Sequence, residues 1–405
     1  MSRLIFHIDV NSAFLSWTAI ERLRQGDTID LREIPSIIGG DKEKRHGIVL
    51  AKSIPAKAFH IETGEPIIRA LEKCPTLTIA SPDHSMYREK SRILMDFLKK
   101  ITPDIEQVSI DECYMDFSSI ADRYDSPMAA ATQIKNTIYE TMGFTVNIGI
   151  SDCKVLAKMA SDFQKPNLVH TLFRHEVEKK MWPLPVSSLY MCGKSSVKEL
   201  RKLEILTIGD LAKTNPEIIA LHLKSHGKLL WEYANGIDDS VVEPVPADAK
   251  GIGNSTTLSR DAKDLDTINE VLLALSDSVA LRLRKAGFLA YMVSVEVKYN
   301  TFVKNSHQTT LDIPTDASNV IYRTACQLFR ELWDGTPVRL LGIRTSKLTN
   351  QAEPVQMSLL DLVSIQKSDE RSQKLDKALD SIRQKYGSSA VVRGSMLNSD
   401  YHFKK

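Results

Sequence analysis

Along roughly the first 167 residues, short apolar runs rich in β-branched side chains alternate with longer stretches that repeat apolar positions at helical spacing. The runs at 4–10, 47–52 and 145–150 predict strands; those at 91–101 and 127–141 predict helices. This mixture points to an α+β or α/β core, with the 145–150 run as a central strand. From 168 to 237 the pattern turns helical and punctuated, and a polar, proline-containing link follows at 238–250. A new pattern begins at Gly251: an amphipathic helix over 265–285, then strands near 291–299, 308–311 and 338–345, enough for a small α+β domain. The last 55 residues are polar, with one further helix predicted over 369–386 that places Leu375, Leu379 and Ile382 on one face.

Three acids interrupt this pattern. Asp9 closes the run Ile5-Phe6-His7-Ile8, and Asp111-Glu112 sits between the alternating runs 106–110 and 113–117, which read as a hairpin with the acids at its tip. Neighbouring side chains on a regular strand point to opposite faces, so Asp111 and Glu112 converge only where the strand turns or bulges. The Asp9 and Asp111 elements are expected to share one sheet. Lone carboxylates in a core are costly, so acids in strand-like sequence are paired with cations or bound to a metal, and hard oxygen donors suit magnesium.

Composition changes this picture little. The chain has 405 residues with 42% hydrophobic content, a length that fits about two to four domains. A net charge of +2 announces no polyanion partner, so any such site is local. Cys74, Cys113, Cys153, Cys192 and Cys326 form no CxxC pair, which argues against structural zinc or a disulfide framework and fits a reducing cytoplasm. The apolar start is too short for a signal peptide, and no run reaches membrane-spanning length; a soluble cytoplasmic protein is expected.

The segment from Leu189 to Leu203, with Gly193 and Lys194 at its turn, resembles a helix-hairpin-helix, which brings backbone N–H groups up to phosphates and reads nucleic-acid backbone, not sequence. The segments His7-Ile8-Asp9-Val10-Asn11-Ser12-Ala13-Phe14, Ser109-Ile110-Asp111-Glu112-Cys113-Tyr114-Met115-Asp116, Gly149 to Ser161 with Lys165-Pro166-Asn167, and Gly253 to Leu258 go further. In this order they resemble the Y-family translesion DNA polymerases, closest to the DNA polymerase IV branch, over about residues 1–350.

That resemblance implies a multidomain α+β right hand: palm at 1–11 and 76–167, fingers at 12–75, a helix-hairpin-helix thumb at 168–237, a linker at 238–250, a little finger at 251–350 and a tail at 351–405. It implies that Asp9, Asp111 and Glu112, with the carbonyl of Val10, hold two magnesium ions, and that Phe14 is the steric gate against a ribose 2′-hydroxyl. Lys165 falls at a phosphate-contacting lysine and Lys57 where arginine is usual, while Ile54 stands in place of a tyrosine, Asn11 where an acid is common and Glu204 in place of a glycine. Gly193, Lys194, Arg282, Arg284, Lys285, Lys298 and Lys304 are the implied DNA contacts. In the tail, Gln356-Met357-Ser358-Leu359-Leu360 resembles the bacterial sliding-clamp-binding peptide, with Gln356, Leu359 and Leu360 filling the clamp's pockets.

The expectation is a monomeric, template-directed, low-fidelity lesion-bypass polymerase acting on primer-template DNA and deoxynucleoside triphosphates, with no segment resembling a proofreading exonuclease. Two other classes fit the residues less well. A catalytically inactive polymerase-like scaffold for DNA or the clamp has no reason to keep three buried acids, and a nucleotide cyclase has no use for the hairpin and little-finger segments.

Overall fold

The computed structural model describes residues 3–40, 47–350, 368–387, 390–391 and 393–394 and divides into two compact units, the first ending at Pro246. The first unit contains β1 (Ile5–Val10), β2 (Ser36–Gly39), β3 (Val49–Lys52), β4 (Thr78–Ala80), β5 (Ile105–Gln107), β6 (Glu112–Asp116), β7 (Val146–Ser151) and β8 (Val169–Thr171). They form a five-stranded sheet in the order β5-β6-β1-β7-β8 and a three-stranded sheet in the order β3-β2-β4.

Every residue of β1 is buried, and Ile5–Asp9 are paired on both sides, antiparallel to β6 and to β7, which is why the strand shows no regular apolar-polar alternation. Phe6, Ile8 and Val10 face one core with Ile134 and Ile138 of the helix Pro127–Met142. Ser126 caps that helix by accepting from Ala129 N, and Gly143 ends it at φ 81°. On the other face Ile5 packs with Ala157 of the helix Lys154–Ser161. This helix lies so close to β7 that a Cβ on Gly149 would stand 2.0 Å from the Ala157 carbonyl oxygen.

The helix expected at 91–101 is His84–Lys99, which starts earlier because Asp83 accepts from Ser85 N and Met86 N. The small sheet reaches Ala80, past the 12–75 span expected for the fingers, because β4 joins β2 in parallel. It has its own core around Ile37, Val49, Ile61 and Ile67. The helices Lys194–Lys202, Ile208–Lys213 and Pro216–Ala234 close over a third core, with Leu200, Ile205, Leu211 and Leu230 inside. At their first turn Glu204 takes φ 60°, and Ile205 N donates to Leu200 O at 3.1 Å, so the expected glycine turn forms with glutamate in the left-handed conformation.

The second unit is a four-stranded antiparallel sheet of β9 (Gly251–Ala262), β10 (Phe288–Tyr299), β11 (Lys304–Thr315) and β12 (Val338–Asn350), in the order β11-β10-β12-β9. The helices Leu265–Ala286 and Ser318–Leu332 cover one face, packing on Val293, Val295 and Val297. The strand expected at 308–311 is far longer because pairing with β10 begins at Lys304, in an exposed polar stretch that carries no alternation signal. No regular element lies between Ala234 and Gly251.

The tail helix Ser368–Tyr386 docks by its acidic side: Asp376 accepts from Ser318 N at 2.9 Å and, with Asp380, pairs with Arg284. Leu375 and Ile382, on the face expected to pack, are 55% and 39% exposed.

Candidate active site

β1 and β6 set the acids in register, with Asp9 directly opposite Glu112. Asp111 lies in the turn between β5 and β6, so the two neighbouring acids escape strict strand alternation. The turn is held by Ser109 N and Val108 N donating to Glu112 O, by Val10 N donating to Asp111 O at 3.0 Å, and by Ser109 Oγ donating to Asp111 Oδ1 at 2.6 Å. Burial raises the Asp111 pKa against the Ser109 bond, and Asp9 and Glu112 push it further up.

Two residues that sequence reasoning missed steady Glu112. His7, 1% exposed, places Nε2 3.4 Å from Glu112 Oε2 while its Nδ1 meets Ser161 Oγ at 2.8 Å. Lys158 donates to the same Glu112 oxygen at 3.0 Å. The His7 bond, opposed by burial and aided by Lys158, brings the Glu112 pKa down to about 2. Burial lowers the His7 pKa in turn, against the hydrogen bond to Glu112. Asp9 is drawn instead into a close ion pair with Lys165, which also reaches Asp162 Oδ1 at 2.8 Å.

The acids therefore lie together at the adjoining ends of β1 and β6 without forming a closed cage; among the described residues no three ligating side chains converge within metal-holding distance. The donor set nonetheless fits a hard divalent cation. All three side chains offer oxygen only, and Asp111 lies beside two like charges with no cationic partner among the described residues.

Two of the three acids, Asp9 and Asp111, line a cavity of about 630 Å³, within the usual size of small-molecule sites; Glu112 is not part of its lining. Asp9, Val10 and Asp111 stand on one wall with Phe14, and Lys52, Ile54, Lys57, Thr63 and Lys165 complete it. Phe14 lies in the first turn of the helix Ala13–Arg24, reached through Ser12 at φ 47°. Its ring stacks on Tyr87 at 4.5 Å and 9°, and the Tyr87 hydroxyl meets Thr18 Oγ1 at 2.8 Å, which fixes both rings. Asn11 ties the end of β1 to β7 by donating to Asn147 Oδ1 at 3.2 Å and accepting from Asn167 N at 2.9 Å. Lys57 is exposed at the end of the one-turn helix Ile54–Lys57, and Ile54 beside it is 57% exposed.

Gly193 caps the helix Lys194–Lys202 with open space where a Cβ would stand. In the second unit the uncovered sheet face forms a polar groove lined by Asn254, Ser255, Ser294, Ser306 and Arg344, a cation sequence reasoning passed over. Lys298 alternates with the buried residues of β10 and covers the Phe302 ring at 4.5 Å. Lys304 pairs with Glu296 at 2.9 Å. Arg282, Arg284 and Lys285 lie on the covering helix Leu265–Ala286. Arg282 donates to Gly253 O at 2.6 Å, and the Arg284 side chain, 8% exposed, is held by Asp376 and Asp380. This corrects the expectation for Arg284, whose guanidinium is not open to a phosphate. Gln356, Leu359 and Leu360 fall outside the described residues.

Residues 8–162 match the impB/mucB/samB family, and residues 249–359 match the C-terminal domain of that family. The chain belongs to this family, the Y-family DNA polymerases. It is 45% identical over 400 residues to the DNA polymerase IV of Clostridium acetobutylicum, covering 99% of this chain and 100% of that protein. With DNA polymerase IV 1 of Bacillus subtilis it shares 33% over 401 residues, 98% of this chain and 94% of that one. A solved chimera of the Y-family polymerases Dbh and Dpo4 superposes with a TM-score of 0.76 at 21% identity, covering 86% of this chain and 99% of the chimera. The polymerase thus has the family's multidomain α+β fold and is a DNA-directed DNA polymerase, dependent on divalent metal as the family in general is. No helix among the described residues is long and apolar enough to cross a membrane.

Proposed function

We propose that this polymerase extends primer 3′-ends by two-magnesium nucleotidyl transfer, that it does so across damaged template bases with low fidelity, and that it works as a cytoplasmic monomer tethered to the bacterial sliding clamp through Gln356, Leu359 and Leu360. The observation that carries the reading is the mixed charge of the cavity lining: carboxylates Asp9 and Asp111 with ammonium groups Lys57 and Lys165, the last drawn onto Asp9, and Phe14 among them. A metal-chelated triphosphate carries both signs of charge that such a lining answers. Asp9, Asp111, Glu112 and the Val10 carbonyl would hold the ions, which lower the barrier by stabilising the attacking and leaving oxygens.

The chain's own residues do the positioning. His7 and Lys158 keep Glu112 ionised and aimed. Lys165 exchanges Asp9 for a phosphate when nucleotide enters, and Phe14, fixed on Tyr87, meets the sugar face where a 2′-hydroxyl would project. The primer 3′-hydroxyl then gives up its proton to solvent and its oxygen bonds to the α-phosphorus as the α–β bridge breaks and pyrophosphate leaves, with positioning and electrostatics supplying the acceleration. The polar groove of the second unit, with Lys298 and Arg344, and the open turn at Gly193 and Lys194 suit contact with a nucleic-acid backbone.

Primer extension on an undamaged and an abasic template, with deoxy- and ribonucleotides, tests the reading. The wild type should extend both templates with deoxynucleotides only. Phe14→Ala should admit ribonucleotides by roughly 10- to 100-fold more. No extension of either template would dismiss the activity, and arrest at the abasic site would dismiss lesion bypass.

A further inference from the structure

Two cations in the cavity lining have no assigned role, and of these Arg32 is paired with Asp30. Lys52 closes β3, half-buried, and lines the same cavity as Asp9, Phe14, Lys57 and Lys165. Its ammonium donates to the carbonyl oxygen of Ile61, and among the described residues no carboxylate stands within ion-pair distance of it. Glu65, on the loop it faces, is already held by Lys73 at 2.6 Å. Burial lowers the Lys52 pKa and the nearby Lys57 lowers it further. Glu62 and Glu65 oppose this only from a distance, and a half-buried ammonium in no direct ion pair beside a second one is a costly arrangement that an entering polyanion relieves. Ile54 on the same wall offers no hydrogen bond, so negative charge arriving here is met by the two lysines and the Thr63 hydroxyl. Lys52 is also placed by the fold: β3 pairs with β2 at Ile37↔Lys52, at the strand end that passes through Ser53 into the helix bearing Lys57.

We infer that Lys52 is a nucleotide-binding residue whose ammonium leaves the Ile61 carbonyl and pairs with the triphosphate of the incoming nucleotide beside Lys57. The inference rests on the cavity being the nucleotide site, and it assigns the charge of that wall to a residue on the sheet rather than to Lys57 alone. Such a contact is made in the ground state and the transition state alike, so its loss weakens binding more than turnover.

The test compares wild type, Lys52→Gln and Lys52→Arg as full-length chains. Steady-state primer extension gives kcat and KM for the deoxynucleotide, calorimetry gives the affinity for inorganic tripolyphosphate with magnesium, and thermal melting monitors folding. Glutamine can still donate to the Ile61 carbonyl, so Lys52→Gln should melt as the wild type does. Its KM and its tripolyphosphate Kd should both rise about tenfold, the loss of one charge-assisted contact, with kcat within about twofold. Lys52→Arg should recover most of both. Unchanged KM and unchanged tripolyphosphate affinity in Lys52→Gln would overturn the inference, as would a fall in kcat and melting temperature with tripolyphosphate affinity intact, which is the signature of a wall residue that only packs. If the wild type extends no primer yet binds tripolyphosphate through Lys52, the anion site stands and the polymerase reading of it fails.

Discussion

The β1-centred sheet of the first unit has helices on both faces and the sheet of the second has them on one, and the two treat charge differently. On the first, His7, Asp9, Glu112, Lys158 and Lys165 are gathered around the central strand β1, each carboxylate of the set paired with a basic group within a few ångströms. On the second, the uncovered face is mostly small neutral polar side chains, and the best-buried ion pairs, Arg284 with Asp376 and Asp380, lie on the helical side and hold the chain's own tail. Chemistry on a phosphorus atom needs fixed charges in fixed register. A surface that slides along a backbone of any sequence needs donors and a few cations without deep pockets. One unit is thus written in residue identity and the other in the character of a face.

Asp111→Ala attacks the first half of that contrast most severely. Primer extension should fall by about a thousandfold or more while primer-template affinity, measured by anisotropy, stays within about twofold. Retained activity would remove Asp111 from the metal set. Arg284→Ala attacks the second half: it leaves Asp376 and Asp380 without their cation and should destabilise the second unit by about 3 kcal/mol in denaturant unfolding, with no change in the salt dependence of DNA binding. A shallower salt slope in this variant would restore the sequence-based view that Arg284 meets a phosphate.

A smaller effect separates charge from packing at the active edge. The Glu112 pKa is depressed, so in metal-free protein its pairing contributes stability above the ordinary carboxylate range near pH 4.5 and loses it as pH falls toward about 2. His7→Leu removes the chief cause of that depression. The gap in melting temperature between wild type and variant should be full at pH 8 and shrink as pH falls, first below about 6.5 because buried His7 resists protonation, then below 4.5 as Glu112 loses its pairing; a gap that stays constant would show that His7 only fills space. Smallest of all, Lys298→Ala should weaken DNA binding a few-fold for every sequence and lower the slope of log affinity against log salt by about one. An unchanged slope would take Lys298 off the interface.

The acids were legible because each stands out against apolar strand-like sequence, and the hairpin because its two runs alternate around them. His7 was not, since a histidine inside Ile5-Phe6-His7-Ile8 looks like one more core residue, and only the pairing of β1 with β6 sets it against Glu112. Lys158 sits on an amphipathic helix whose packing on β7 is fixed by Gly149, a long-range fact. Arg284 was misread for the same reason: its partners lie 92 and 96 residues away in sequence. The leucines of the tail helix promised an apolar contact, and the structure docks the acidic side instead. Local pattern fixes elements; which charge meets which is decided by topology.

The most direct test is a crystal structure of the full chain with primer-template, incoming deoxynucleotide and magnesium. The account predicts carboxylate oxygens of Asp9, Asp111 and Glu112 on two ions at the primer end, with Lys165 released from Asp9 onto the triphosphate. Asp9 still paired with Lys165 and Glu112 still on Lys158, with nucleotide bound and no ion among the three acids, would contradict it.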